Sequence, residues 1–220
     1  MNIAIIGGGD HALEILNYII DDSAFYRKIS NIFIIDKNKK NLSIFKKISS
    51  KIIFAPNTTK LRKTKNIKAC ISFGEPNMRK KSFLELKKNK IKLFSIIHKS
   101  SYISRNAVLS DGVIVAPNCV IAPFAELKEN VLINSGAVVG HHSSIGLHAV
   151  MSPNAFTAGH SKVGTGCLLG PNSSIMQSIS LGNFSRLSAS SVLYKNCYKF
   201  SLAHGNPAKA RKFYKLINKK

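Results

Sequence analysis

Residues 133–151 read INSGAVVGHHSSIGLHAVM, and an aliphatic side chain stands at every sixth place: Ile133, Val139, Ile145, Met151. Followed outward, the register runs without a slip from Ile103 through Leu109, Val115, Ile121 and Leu127. Beyond Met151 it continues through Thr157, Val163, Leu169, Ile175, Leu181 and Leu187 to Leu193. Only Thr157 is polar among these sixteen anchors. Four places after an anchor the residue is mostly small, as at Ala137, Ser143, Ala149 and Ala155, and glycine often follows the anchor directly, as in Val139-Gly140 and Leu169-Gly170.

A period of six suits neither an α-helix, which repeats at 3.6, nor one long strand, which repeats at 2. It suits a coil of short flat strands joined by tight corners. The anchor points inward, the small residue fits the crowded corner, and glycine tolerates unusual dihedrals there. Three hexads close one triangular coil. Residues 103–192 make fifteen hexads and hence five coils, stacked about 4.8 Å apart as neighbouring strands are.

The ends of the chain follow other patterns. Asn2–Ile6 reads as a strand, followed by Gly7-Gly8-Gly9-Asp10-His11 and an amphipathic helix whose apolar side is Ala12, Ile15, Leu16, Tyr18 and Ile19. Further strands are expected at Asn31–Ile35, Ala69–Phe73 and Ile91–Ile97, with a helix near Asn77–Lys88. Strands alternating with helices predict a small Rossmann-like parallel sheet over residues 1–97, with any ligand beyond the carboxyl ends of its strands. The β-helix would then span 98–196. Residues 197–220 form a basic tail, in which Gly205-Asn206-Pro207-Ala208 makes a turn, a basic helix follows, and the whole caps the open coil edge.

The glycine run lacks full G-x-G-x-x-G spacing, since the last position is Ala12. It is either a bare strand-to-helix turn or a cradle whose N–H groups meet a diphosphate. Asp36, at the next strand end, is either a solvated turn residue or an acceptor for a base or ribose.

Formal net charge is +23, with a surplus of 14 over residues 1–102, of 1 over 103–192 and of 8 over 193–220. Such a balance fits nucleic acid, small phosphorylated ligands or a lysine-rich surface. No nucleic-acid motif accompanies it, so no nucleic-acid partner is expected. No window holds 18 consecutive apolar residues, which argues against a membrane span. The N-terminus reads as a strand and not a signal peptide. Cys70, Cys119, Cys167 and Cys197 lack metal-ligand spacing and read as buried thiols in a reducing, cytoplasmic setting. No metal is expected.

Three blocks coincide: Ile5–His11, Ile133–His142, and Gly205-Asn206-Pro207-Ala208-Lys209. Ile97-His98-Lys99-Ser100 and Arg79-Lys80-Lys81 add to them. In this combination the chain resembles the NeuD/PglD family of sugar acetyltransferases, over nearly its whole length. The resemblance implies a left-handed β-helix and a homotrimer with acetyl-CoA, a cosubstrate, between adjacent β-helices. It also implies an N-terminal domain that binds a nucleotide-linked amino sugar, often a UDP-linked amino-dideoxy sugar for bacterial surface glycans. Carried over residue by residue, it puts the catalytic histidine at His141, with Asn134 and His142 beside it in the motif. CoA falls to Gly159, Gly164, Gly170, Pro171 and Lys209. The nucleotide sugar falls to Gly8, Gly9, Asp10, His11, Asp36 and Lys37. The family usually has Asp or Glu directly after its histidine, where this chain has His142.

Acetyl transfer to an amine needs a proton acceptor, and histidine titrates in the right range. Gly159 follows His141 by eighteen residues, one coil, so the two should share a column. His142 and His160 are local rivals for the role, and His148 reads as an ordinary surface corner. Sialic acid or other sugar O-acetylation, and a non-catalytic scaffold that binds sugar nucleotides, remain as alternative readings.

Overall fold

The computed structural model describes residues 1–38 and 42–212, which form two compact units divided between Ile96 and Ile97. In the first unit, strands β1 (Asn2–Ile6), β2 (Asn31–Ile35), β3 (Ile52–Ala55), β4 (Ile67–Ile71) and β5 (Lys92–Leu93) pair in the order β3-β2-β1-β4-β5, all parallel. Helices α1 (Asp10–Asp21), α2 (Ser23–Arg27), α3 (Leu42–Ile48), α4 (Thr59–Arg62) and α5 (Pro76–Lys88) connect them. Ile3, Ile5, Ile32 and Ile34 are fully buried, as β-branched residues in a sheet covered on both faces should be. On α1 the buried stripe is Ala12, Ile15, Leu16 and Ile19, while Tyr18 lies at its margin.

Three sequence expectations need correction. The strand expected at Ala69–Phe73 is Ile67–Ile71, and it is the fourth in the chain because β3 went unrecognised. Only four residues long and flanked by Lys51 and Pro56, β3 offers too few places to establish a period. The run Ile91–Ile97 is not one strand. Lys92–Leu93 extends the first sheet, whereas Ile96–Ile97 heads a sheet of the β-helix. The basic helix expected after Gly205 is a strand instead: Ala208–Lys212 returns antiparallel along Ser201–Gly205, and Ser201–Gly205 lies parallel to Arg186–Leu187 at the last coil. The rest of that expected helix, residues 213–220, lies outside the described residues.

From Ile96 to Leu193 the described chain forms seventeen two-residue strands at intervals of six. Pairing is parallel with a shift of eighteen: Val120 lies beside Val138, Val138 beside Phe156, Phe156 beside Ser174. The second residue of each strand is the anchor, buried from Val115 to Leu193; Ile103 and Leu109, at the first coil, are half-buried. Even Thr157 is fully buried.

From Gly112 to Ser190 one residue at each corner turns left-handed. Asn118, Phe124, Asn130, His142, His148, Asn154, His160 and Asn172 all have φ between 56° and 61°. A left-handed non-glycine residue costs about 1–2 kcal/mol. Offsetting that, its N–H bonds to the coil before: His142 to Pro123 O at 3.0 Å, His160 to His141 O at 2.9 Å. The residue that follows is mostly small, and where it is serine the hydroxyl finds a carbonyl of its own corner or of the next coil, as Ser161 Oγ donates to Ala158 O at 2.7 Å and Ser143 Oγ to the same oxygen at 2.8 Å. No helix among the described residues is long and apolar enough to cross a membrane.

Inward and outward residues of one strand should differ sharply. Leu127 is fully buried, whereas Glu126 is exposed and pairs with Lys128 at 2.7 Å. Leu127→Ala is expected to cost about 2–5 kcal/mol through lost burial and a cavity. Glu126→Ala should stay within about 1 kcal/mol, as exposed ion pairs do. Thermal and urea unfolding of the two variants checks this; equal losses would mean that the anchors do not carry the coil.

Candidate active site

The corner Gly140-His141-His142-Ser143 joins the strand Val138–Val139 to Ser144–Ile145. His141 occupies a corner position that is proline elsewhere (Pro117, Pro123, Pro153, Pro171), so the coil ladder does not need its N–H. Gly159 stands at that position one coil on. A Cβ there would come within 2.4 Å of both His141 Cε1 and Nε2, so the imidazole rests in space that only glycine leaves open. Sharing a column, as their spacing predicts, thus becomes direct contact.

Around His141 two further imidazoles gather. His141 Nδ1 lies 3.2 Å from His142 Nδ1, with the rings nearly perpendicular at 87°. His142 is sandwiched between Phe124, at 4.8 Å and 29°, and His160, at 4.8 Å and 14°. His160 in turn meets His141 edge-on at 5.1 Å. All three histidines are exposed and offer nitrogens within 4.8 Å of one another, a grouping that a divalent ion could use; its closest pair sits at hydrogen-bond distance.

The remaining β-helix expectations scatter. Asn134 belongs to a different corner from His141, with the strand Val138–Val139 between them, so its side chain is not brought to the imidazole. His148 is not a surface residue: it is 6% exposed, and its Nδ1 lies 3.0 Å from Asn130 Nδ2. Corner spacing predicts its left-handed backbone but not the side chain's inward course. Gly164 faces Asn183 and Gly170 faces Ala189, each so closely that a Cβ would clash with backbone; coil packing alone demands both. Gly159, Gly164 and the pair Gly170-Pro171 fall on three different corners. Lys209 lies on the last strand, and strand alternation puts it on one face with Arg211 and opposite Lys212. Lys212 joins Tyr198, Lys199 and Phe200 around a cavity of about 520 Å³.

In the first unit the glycine turn is a built structure. Gly7 (φ +107°) ends β1, and a Cβ there would lie 2.5 Å from Ser72 Oγ. Gly8 N–H donates to Asp36 Oδ2 at 2.7 Å, and Asn38 N–H to Asp36 Oδ1 at 2.8 Å. Asp36 therefore clips the ends of β1 and β2 together. Gly9 caps α1, leaving Asp10 and His11 in its first turn.

His11 Nδ1 lies 2.8 Å from Ser72 O, which can only accept, so Nδ1 carries the hydrogen and neutral His11 keeps its lone pair on Nε2. Burial pulls the His11 pKa down, against the Ser72 bond and nearby Glu14, with Arg79 adding to the fall. Arg79, fully buried, donates from Nη1 to Ile71 O at 2.7 Å and Phe73 O at 3.0 Å, fixing the end of β4.

At these strand ends lies a cavity of about 410 Å³. Asp36 and Lys37 line it as expected, whereas Gly8, Gly9, Asp10 and His11 do not. Phe73, Thr58, Lys81 and Glu85 line it too and were missed. Glu85 had a signal, being the sole acid of α5 among five basic residues. Thr58, which donates to it at 2.6 Å, had none.

Residues 2–86 match the model of the PglD N-terminal domain. A comparison with curated proteins finds no match. Among solved structures, the chain is similar to a histidine-to-asparagine variant of perosamine N-acetyltransferase from Caulobacter crescentus in complex with CoA and GDP-perosamine. The TM-score is 0.83 at 22% identity, covering 96% of this chain and 97% of that one. It is also similar to the acetyltransferase domain of PglB from Neisseria gonorrhoeae FA1090 in complex with acetyl coenzyme A (TM-score 0.82, 20% identity, 96% and 98% covered). WeeI from Acinetobacter baumannii AYE gives a TM-score of 0.82 at 14% identity, with 96% and 100% covered. Residues 2–86 are thus similar to the PglD N-terminal domain, and the chain shares throughout the fold of these solved acetyltransferases, a Rossmann-like parallel sheet followed by a left-handed β-helix.

Proposed function

We propose that the protein transfers the acetyl group of acetyl-CoA to the amine of a nucleotide-linked sugar, with His141 as general base. The observation that carries this reading is the seating of the His141 ring against Gly159, which sets a basic nitrogen beside a backbone N–H that the coil does not use. The neutral amine attacks the thioester carbonyl, and the new N–C bond forms as charge builds on oxygen. In this reading the Gly159 N–H, which no coil hydrogen bond uses, donates to that oxyanion. Nε2 of His141 takes the amine proton; the C–S bond then breaks, and the imidazolium returns the proton to the leaving thiolate. Structural relatives that carry CoA, acetyl-CoA or GDP-perosamine support this reading.

The nucleotide sugar is assigned to the first unit's cavity, where Lys37 and Lys81 suit a diphosphate and Asp36 holds the glycine turn in place. UDP is the sequence-based expectation for the nucleotide, and GDP is what the Caulobacter relative holds. Incubating the protein with acetyl-CoA and UDP-, GDP- and dTDP-linked amino sugars, while following free thiol, decides between them. Turnover only with a sugar hydroxyl would favour O-acetylation; binding without turnover would favour the scaffold. We further infer that the active form is a homotrimer with CoA between neighbouring β-helices, which light scattering under assay conditions tests.

Two predictions follow from the residues. His141→Asn should lower kcat by about 10²-fold or more with the fold intact, as expected on losing a general base. Gly159→Ala should do nearly the same, because its methyl group displaces the ring. Full activity of Gly159→Ala would refute the pairing. Lys81→Ala should raise KM for the nucleotide sugar several-fold, more at low ionic strength, and leave KM for acetyl-CoA unmoved. Steady-state kinetics at two salt concentrations measures both.

A further inference from the structure

We infer that His142 is a positioning residue for His141: its Nδ1 lone pair accepts the His141 Nδ1–H, fixing the tautomer that leaves His141 Nε2 free to take a proton. This rests on the reading of His141 as the base. Two imidazole nitrogens 3.2 Å apart hold one hydrogen between them. If it belonged to His142, His141 would carry its own hydrogen on Nε2, beside Gly159, and no lone pair would face the reaction. Placed on His141, the same hydrogen leaves Nε2 basic. When Nε2 is protonated, the bond to neutral His142 becomes charge-assisted and stronger, so it favours the state reached during attack. An acceptor on the next residue is what a carboxylate would supply, and here an uncharged ring supplies it.

The ring is held for this purpose. Phe124 from the coil before and His160 from the coil after sandwich His142, so its rotation is restricted. His141 stands perpendicular to both histidines of the pair. The titratable groups that face His142 are therefore His141, from its own corner, and His160; Phe124 is neutral.

The variants are chosen for the corner. Phe124 and Asn154 occupy the same left-handed position in neighbouring coils, so His142→Phe and His142→Asn suit its backbone. Phe keeps the stack but cannot accept a hydrogen bond; Asn offers an oxygen that can. His142→Phe should lower kcat by roughly 10–100-fold with KM for both substrates little changed, and His142→Asn should recover much of the loss. Long-range ¹H–¹⁵N spectra of the protein without substrate should report His141 as the Nδ1–H tautomer. They should report His142 as Nε2–H. An Nε2–H tautomer at His141, or a His142→Phe variant as active as His142→Asn, would overturn the assignment. The tautomer is read without turnover. If no sugar is acetylated while His141 is Nδ1–H, the positioning stands and the substrate reading fails.

Discussion

Every coil of the β-helix must hand its backbone hydrogen bonds to the next after eighteen residues, and this constraint governs the rest of the molecule. The bonds run between coils, as from Val138 N–H to Ala155 O, so a slip of one residue would break the ladder and turn the anchors outward. Closing a triangle in eighteen residues leaves little room for each corner. One residue there goes left-handed and the next must be small. Each corner position thus becomes a column, filled once per coil. His141 and Gly159 meet because they occupy one such column, and Phe124, His142 and His160 because they occupy the adjacent one. The geometry of the histidine corner is a by-product of a stacking rule.

That rule explains what the sequence disclosed. A repeat fixes position modulo six, and position modulo six decides which residues are inward, which turn, and which share a column. The partnership of His141 and Gly159 could be read because column membership suffices for it. Asn134, seven residues before His141, stands at the preceding corner, so column membership does not link the two. His148 escaped because repeat position dictates its backbone and not its side chain, which turns in to Asn130. His142 escaped in another way. Its Nδ1 contact depends on ring rotation, set by aromatic neighbours on two other coils. In the first unit no repeat exists, and the short strand β3 and the exposed tail strand carried too little apolar pattern to be placed. The basic run Lys209-Ala210-Arg211-Lys212 reads as a polar helix by composition, yet its N–H and C=O groups complete an edge beside Ser201–Gly205.

Asp36 has a structural role that its sequence position does not announce. At a strand end beside a glycine turn, a carboxylate reads either as a solvated turn residue or as an acceptor for a base or ribose. Its two oxygens each take a backbone N–H group, from Gly8 and Asn38. Arg79 does the corresponding work at β4, where its guanidinium satisfies two carbonyls inside the domain. Two charged side chains thus hold adjoining strand ends by backbone contacts, and the cations that line the cavity are Lys37 and Lys81.

Charge distribution obeys the stacking rule as well. Side chains in one outward column are spaced by the strand separation of about 4.8 Å. Like charges at about 4 Å repel by about 1 kcal/mol in bulk water and by several times that near a protein surface. A run of lysines down a face would therefore oppose the ladder at every step. Residues 103–192 carry only four Lys or Arg in a chain of net charge +23. Both cations of the later coils have uncharged column neighbours: Lys162 lies between Ser144 and Ser180, Arg186 between Leu168 and Leu202; Asp111 and Glu129, eighteen residues apart, are a like-charged exception at a corner. Histidine escapes the restriction because a neutral ring can stack on another, as His142 and His160 do.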